Sequence, residues 1–229
     1  MYNKTGDAIM IPILYTDRDL AVCVKPRGLA SEAGGLPEAL ASQLGTETVF
    51  CVHRLDKAVG GVMVCAHSPR AAAALSRQIA QRTLVKEYLA VVPGLPEAEE
   101  GVLRDLLFHD RTKNKSYVVQ RKRAGVKEAE LSYRVLETAQ GLSLLSVRLH
   151  TGRTHQIRVQ FAARGLPLLG DVKYGSAVRD CPIALWSRRL AFTHPADGRA
   201  LCFEALPERA FPWDRFSIDK ETNACDTSK

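Results

Sequence analysis

Residues 116–149 read SYVVQRKRAGVKEAELSYRVLETAQGLSLLSVRL. Three strand-like runs lie inside this stretch: Ser116–Gln120, Ala129–Leu136 and Leu142–Leu149. Only a few residues separate each run from the next. That is too little chain for a crossover helix, so the runs pair as antiparallel hairpins. On the C-terminal side, strands resume over Ile183–Phe192 and Ala200–Ala205. On the N-terminal side, residues 84–92 form a strand closed by Pro93-Gly94. Residues 11–16 and 20–25 form two more, with Asp17-Arg18-Asp19 as their turn, and Thr48–Val52 and Val62–Ala66 follow.

Helix signals are few. Pro37 and Gly45 bracket Glu38–Leu44. Ser68 caps a helix that Pro69 opens, in which Ala72, Leu75 and Ile79 make one apolar stripe. A third runs from His155 to Arg164, capped by Thr154 and stopped at Gly165. Strands dominate without regular βα alternation. The fold class is therefore α+β: a mixed, largely antiparallel sheet with flanking helices. A single domain of two coupled lobes is expected over 11–216, with frayed termini at 1–10 and 217–229.

The chain has 229 residues, 46% hydrophobic and 25% charged, which excludes a disordered or fibrous chain. No apolar run approaches the roughly 20 residues of a membrane helix, and Pro12 and nearby charges break up any secretory leader. A cytoplasmic protein is expected. The six cysteines show no close-spaced framework and no Cys-x-x-Cys, so reduced core thiols are expected. The formal net charge is +7 and unevenly spread. Residues 111–127 carry seven basic side chains and no acidic one, and residues 146–189 carry eight against two. Such clustering is the footprint of a polyanion partner or, more plainly, a solvated basic face.

Gly-x-Gly-x-x-Gly, the nucleotide-triphosphate loop, His-Glu-x-x-His and Gly-x-Ser-x-Gly are all absent. Two segments remain that secondary structure does not explain. The first is His53-Arg54-Leu55-Asp56-Lys57-Ala58-Val59-Gly60-Gly61, a charged loop between apolar strands. It either places one carboxylate at a sheet edge for function or pairs Asp56 locally with Arg54 or Lys57. The second is His150-Thr151-Gly152-Arg153-Thr154-His155-Gln156-Ile157-Arg158. Here Arg158 falls in the first turn of a helix, where the dipole disfavours a cation. Either it is exposed at small cost or it has an anionic partner, a buried carboxylate or a phosphate.

Together these segments are similar to the RluA-type family of RNA pseudouridine synthases. Val24-Lys25-Pro26-Arg27-Gly28-Leu29 resembles its Lys-Pro-x-Gly motif, and HRLDKAVGG its catalytic His-Arg-Leu-Asp loop. KEYLAVV, Lys86 to Val92, resembles its tyrosine strand, and HTGRTHQIRVQFAARGLPLLGDVKYG, His150 to Gly175, its arginine motif. The four run in family order. Two departures stand out. Val59-Gly60 replaces the usual Thr-Ser, and Leu185-Trp186-Ser187 replaces Leu-His-Ala.

The resemblance implies a pseudouridine synthase fold with a central catalytic cleft. It implies isomerisation of specific uridines in structured RNA, ribosomal or transfer, by base detachment, rotation and carbon-glycoside formation, with no cofactor and no metal. Asp56 is the implied catalytic carboxylate, as nucleophile or as base. Arg158 is implied as its paired cation, Tyr88 as the residue stacking on the uracil, Ile157 as the opposite wall, and Arg54 as the group filling the space of the flipped base. Arg121, Lys122, Arg123 and Arg153 are expected at the RNA backbone. A monomer without an obligate protein partner, a membrane or a separate N-terminal RNA-binding domain is expected. The alternatives are a catalytically silent RNA-binding protein of the same fold, which would not need Asp56, Tyr88 and Arg158 together, and a metal-dependent phosphoesterase using His53, His150 and His155.

Overall fold

The structure, a computed structural model, describes residues 10–218. The expected fraying of residues 1–9 and 219–229 lies outside the described residues. The described chain divides into two compact units, residues 10–85 with 187–207 and residues 86–186 with 208–218.

The first unit begins with strands β1 (Ile13–Thr16) and β2 (Leu20–Lys25), an antiparallel hairpin. The Asp17 carboxylate closes its turn by accepting the backbone N–H groups of Asp19 and Leu20 at 2.8 and 3.0 Å. Helix α1 (Leu36–Leu44) ends at Gly45, whose φ of 65° gives the left-handed cap that glycine adopts without strain. Strand β3 (Phe50–Cys51) pairs with β4 (Gly60–Ala66), which also pairs antiparallel with β2. Every residue of β4 is buried. Helix α2 (Pro69–Ala80) starts as the sequence indicates: Ser68 Oγ accepts the Ala71 N–H at 3.2 Å. Its Ala71 and Leu75 pack on Leu20, Val22, Val62 and Val64 and on Leu190 and Phe192 from the C-terminal strands. Each of the fully buried Leu, Val and Phe side chains contributes about 1.5–3 kcal/mol.

In the second unit, β5 (Val85–Pro93), β6 (Glu100–Asp110), β7 (Lys115–Val119), β8 (Val126–Ala139) and β9 (Leu142–Leu149) form an antiparallel array in the order β5-β9-β8-β6-β7. Helix α3 (Gln156–Ala162) follows. The chain returns to the first unit through β10 (Leu185–Thr193), which pairs with β11 (Ala200–Glu204). The α+β class holds. Gly61 shows one reason for the glycines at the head of β4. Its φ is 124°, and a Cβ there would lie 2.2 Å from the Ser187 carbonyl oxygen. Ser187 in turn donates its hydroxyl to the Val62 carbonyl at 2.9 Å.

Several local expectations need correction. Thr48–Val52 is strand only at Phe50–Cys51. The 11-residue strand β6 was not foreseen, and with it the early start of β8 at Val126, which pairs with Phe108 of β6. Helix α3 is shorter than His155–Arg164, and Thr154 does not cap it. His155 occupies the cap position in a left-handed conformation, and its side chain does not cap the helix. Arg121, Lys122 and Arg123 lie in the connection between β7 and β8. Cys23, Cys51, Cys65 and Cys181 are free thiols, as expected, but Cys202 is disulfide-bonded. Cys225 lies outside the described residues.

Candidate active site

The loop from Val52 to Val59 leaves β3 and re-enters the sheet at β4. Three contacts fix it. His53 Nε2 accepts the Val64 N–H at 3.2 Å. The Ser31 hydroxyl, itself buried, accepts the Leu55 N–H at 3.0 Å and donates to the Leu55 carbonyl at 2.8 Å. The Lys57 carbonyl accepts the Gly28 N–H at 2.8 Å. The residue before Asp56 is thus clasped through both of its backbone polar groups. The loop closes on itself where Val59 N–H meets the Asp56 carbonyl at 2.9 Å. Val59 is an apolar plug with 1% exposure.

Lys25 is the unforeseen member of this group. It ends β2, is completely buried, and donates its ammonium to the carbonyls of Pro26 and Leu29 at 3.0 and 2.7 Å. Burial pushes it down to about 8, and the field of the Asp56 carboxylate opposes that fall. Asp56 therefore has a cation within its own unit. The available signal was a charged residue closing an otherwise apolar strand, LAVCVK. Ser31 carried no signal beyond its residue type. Arg54 is exposed and ion-paired with Glu32.

In the second unit, Tyr88 is a buried residue of β5, opposite Val147 of β9. Ile157 and Arg158 lie in α3, whose residues from Gln156 to Phe161 are all buried. The dipole argument for Arg158 is answered by a carboxylate: its Nε and Nη2 donate to the Asp171 carboxylate oxygens at 2.7 and 2.8 Å, and the Asp171 side chain is 1% exposed. The Arg158 guanidinium also lies 5.1 Å over the Tyr174 ring. The Tyr174 hydroxyl accepts the Ser116 N–H at 2.8 Å and lies 3.0 Å from His155 Nδ1. Asp171 and Tyr174, from the GDVKYG end of the arginine motif, are thus what hold Arg158. Neither residue carries a local signal for that role, since both partners of each contact are distant in sequence.

Arg153 donates Nε to the Glu128 carbonyl at 2.9 Å, and its N–H goes to Gln156 Oε1 at 3.0 Å. Gln156 also takes the Thr151 hydroxyl at 2.7 Å and donates to the Glu130 carbonyl at 3.0 Å, tying the loop ahead of α3 to β8. In the basic connection, Lys122 pairs with Glu128 at 2.5 Å and Arg123 lies 5.0 Å over the Phe108 ring, while Arg121 is exposed. The three histidines weighed as metal ligands have other partners: Val64 for His53, Ser132 for His150 at 3.0 Å, Tyr174 for His155. Asp17, Asp19 and His194 lie close enough to share an ion, but Asp17 is already the acceptor for Tyr15, for His194 and for two backbone N–H groups.

One stability consequence follows from the clasp. Ser31→Ala strands the buried Leu55 N–H and should cost about 1–3 kcal/mol. A urea titration reads this as a lower midpoint at unchanged slope. An unchanged midpoint would remove Ser31 from its place in the loop.

Residues 19–163 match the family described as RNA pseudouridylate synthase. An uncharacterised RNA pseudouridine synthase of Aquifex aeolicus is 36% identical over 228 residues, covering 89% of this chain and 71% of its own. The dual-specificity RNA pseudouridine synthase RluA of Escherichia coli is 36% identical over 213 residues, covering 89% and 96%. Among solved structures, human RNA pseudouridylate synthase domain containing 4 superposes with a TM-score of 0.72 at 27% identity, over 86% of this chain and 89% of that one. This chain belongs to the RNA pseudouridylate synthase family, enzymes that isomerise uridine in RNA to pseudouridine.

Proposed function

We propose that Asp56 is the catalytic carboxylate and that the RNA is ribosomal or transfer RNA. The observation that carries the assignment is Asp56 itself: one carboxylate, on a loop clasped at the preceding residue, in the field of a buried lysine. The clasp holds the backbone beside this carboxylate in one conformation. The carboxylate can attack the ribose anomeric carbon or remove a proton to give a glycal, and either route frees the uracil to turn and rejoin through carbon. Tyr88 stacks on the uracil, Ile157 walls it, and Arg158 contributes positive charge at the reacting centre. Arg54 leaves Glu32 and takes the space of the flipped base, offsetting an unstacking cost of a few kcal/mol. The matched span includes Asp56, Tyr88, Ile157 and Arg158.

The choice of RNA rests on relatives. One, of Nitrosomonas europaea, is named a ribosomal large subunit pseudouridine synthase, at 37% identity. The E. coli relative is named dual-specificity. We propose further that residues 11–216 act as one catalytic domain of two coupled lobes, as a cytoplasmic monomer needing no protein partner. Among the described residues no helix is long and apolar enough to cross a membrane. Pseudouridine mapping across total RNA, with and without the gene, tests the target. A site lost from ribosomal or transfer RNA is expected, and an unchanged map of both would refute the assignment.

Arg121, Lys122, Arg123 and Arg153 are proposed at backbone phosphates. In the free protein Lys122 is held by Glu128 and Arg123 by Phe108, so RNA must compete for both. Changing residues 121–123 to Ala should weaken binding and flatten its dependence on salt. Each lost phosphate contact removes roughly 0.7–0.9 from the slope of log affinity against log salt, so a total change of at most about 2.7 is expected if all three side chains meet phosphates. Parallel lines for wild type and triple variant would move the RNA to another surface.

A further inference from the structure

Cys51 and Cys65 are a pair of thiols that the isomerisation does not use. Cys51 ends β3 and is directly opposite Cys65 of β4 in the antiparallel register. Their sulfur atoms are 3.2 Å apart. Residues facing one another across antiparallel strands have Cα atoms about 4.5–5.5 Å apart, inside the roughly 4.4–6.8 Å that a disulfide spans. The two thiols also differ in environment. Cys65 is fully buried, whereas Cys51 is partly exposed. The hydrogen bond from Cys65 lowers Cys51 against the opposing effect of burial. Cys65 is raised by its bonds with Cys23 and Cys51 and by burial. The more accessible sulfur is thus the better nucleophile, and a second thiol is already in contact with it.

We propose that Cys51 and Cys65 form an oxidisable dithiol, a modification site for hydroperoxides at the base of the Asp56 loop. In the first step the Cys51 thiolate attacks one peroxide oxygen. The O–O bond breaks, Cys51 becomes a sulfenic acid, and the other oxygen leaves as hydroxide or alkoxide, which takes up the proton the Cys51 thiol gave up to become water or an alcohol. In the second step Cys65 sulfur attacks the sulfenic sulfur, the S–O bond breaks, and the hydroxyl leaves with the Cys65 proton as water. The two thiols lose two electrons, and the peroxide gains them.

The site is coupled to the loop by position. Cys51 is two residues before His53, and Cys65 follows Val64, whose N–H His53 accepts. Bond formation draws the sulfurs from 3.2 Å to about 2.05 Å, a movement of about 1 Å beside that hydrogen bond. A displacement of about 1 Å in a positioned group can cost ~100-fold in rate. The disulfide form is therefore expected to turn over at least about tenfold more slowly, with little change in KM.

This consequence, unlike the chemistry of the thiols, rests on Asp56 being the catalytic residue. The test treats purified full-length protein with hydrogen peroxide, maps disulfides by peptide mass spectrometry, and measures kcat before treatment, after it, and after dithiothreitol. A Cys51–Cys65 cross-link, a fall in kcat and recovery on reduction are expected. Cys65→Ser should stop at a sulfenic acid on Cys51, trapped by dimedone. Cys51→Ser should keep its turnover through the same treatment. Absence of the 51–65 cross-link in wild type overturns the proposal. So does an unchanged kcat in the cross-linked protein, or an equal loss in Cys51→Ser. If the reduced wild type turns over while Asp56→Asn does so equally well, the Asp56 assignment fails, and the peptide map still decides the dithiol.

Discussion

Asp56→Asn is expected to lose turnover by at least about 10³-fold while binding RNA within a few-fold of wild type. The amide matches the carboxylate in size, so the loop keeps its backbone contacts to Ser31, Gly28 and Val64, none of which uses the Asp56 side chain. What disappears is the negative charge and with it both nucleophile and base. General acid–base chemistry alone accounts for roughly 10²–10⁴-fold, and loss of a nucleophile removes the pathway altogether. The measurement is tritium release from uridine-labelled RNA at saturating enzyme, beside a binding titration. The substitution also takes from Lys25 the carboxylate that supports its charge in a fully buried site. A modest fall in thermal midpoint should accompany the lost turnover, and Asp56→Asn/Lys25→Met should recover part of it. Turnover that survives Asp56→Asn would take Asp56 out of the mechanism.

The second large effect is on stability. Arg158→Met leaves the Asp171 carboxylate, 1% exposed, without the two charge-assisted bonds it now accepts. Breaking one side of a buried pair costs about 3–5 kcal/mol, a large share of the 5–15 kcal/mol that holds a typical domain folded. Replacing both partners by apolar groups avoids the stranded charge, so Arg158→Met/Asp171→Leu should regain most of the loss. The two variants separate structure from function. If Arg158 also contributes charge to the reaction, the double variant refolds to near wild-type stability yet stays inactive. If it turns over normally once stability returns, the arginine serves the fold alone.

Much of this protein was legible in its residues. Residues 142–149 and the helix from Pro69 were readable because local spacing and one apolar face suffice: a period of two for β9, a period of three to four plus a serine cap for α2. The loop carrying Asp56 stood out as five mostly charged residues between apolar strands. The first-turn cation at Arg158 posed a choice between exposure at small cost and an anionic partner, and its burial against the Asp171 carboxylate decided it.

Where the answer depended on partners distant in sequence, the chain by itself was silent or misleading. Strand β6 reads poorly as a strand because Leu103 and Leu107, its buried residues, are four apart, with Arg104 and Asp105 between them. Those charges are tolerable only because Glu130 meets Arg104 at 3.1 Å, and Gln160 and Arg164 meet Asp105 at 2.7 and 2.9 Å. Those partners lie 26 to 59 residues away. The Ser31–Leu55 clasp spans 24 residues, the Arg158–Asp171 pair 13, and the Cys51–Cys65 contact 14. Periodicity and capping are properties of a few consecutive residues, so the sequence alone determined element types and the chemical character of two segments. Which carboxylate holds Arg158, which hydroxyl holds Asp56's neighbour and which cation shares Asp56's field depend on strands brought together from far apart. Only the tertiary structure decided them, because burial makes each such polar group find a partner wherever in the chain that partner lies.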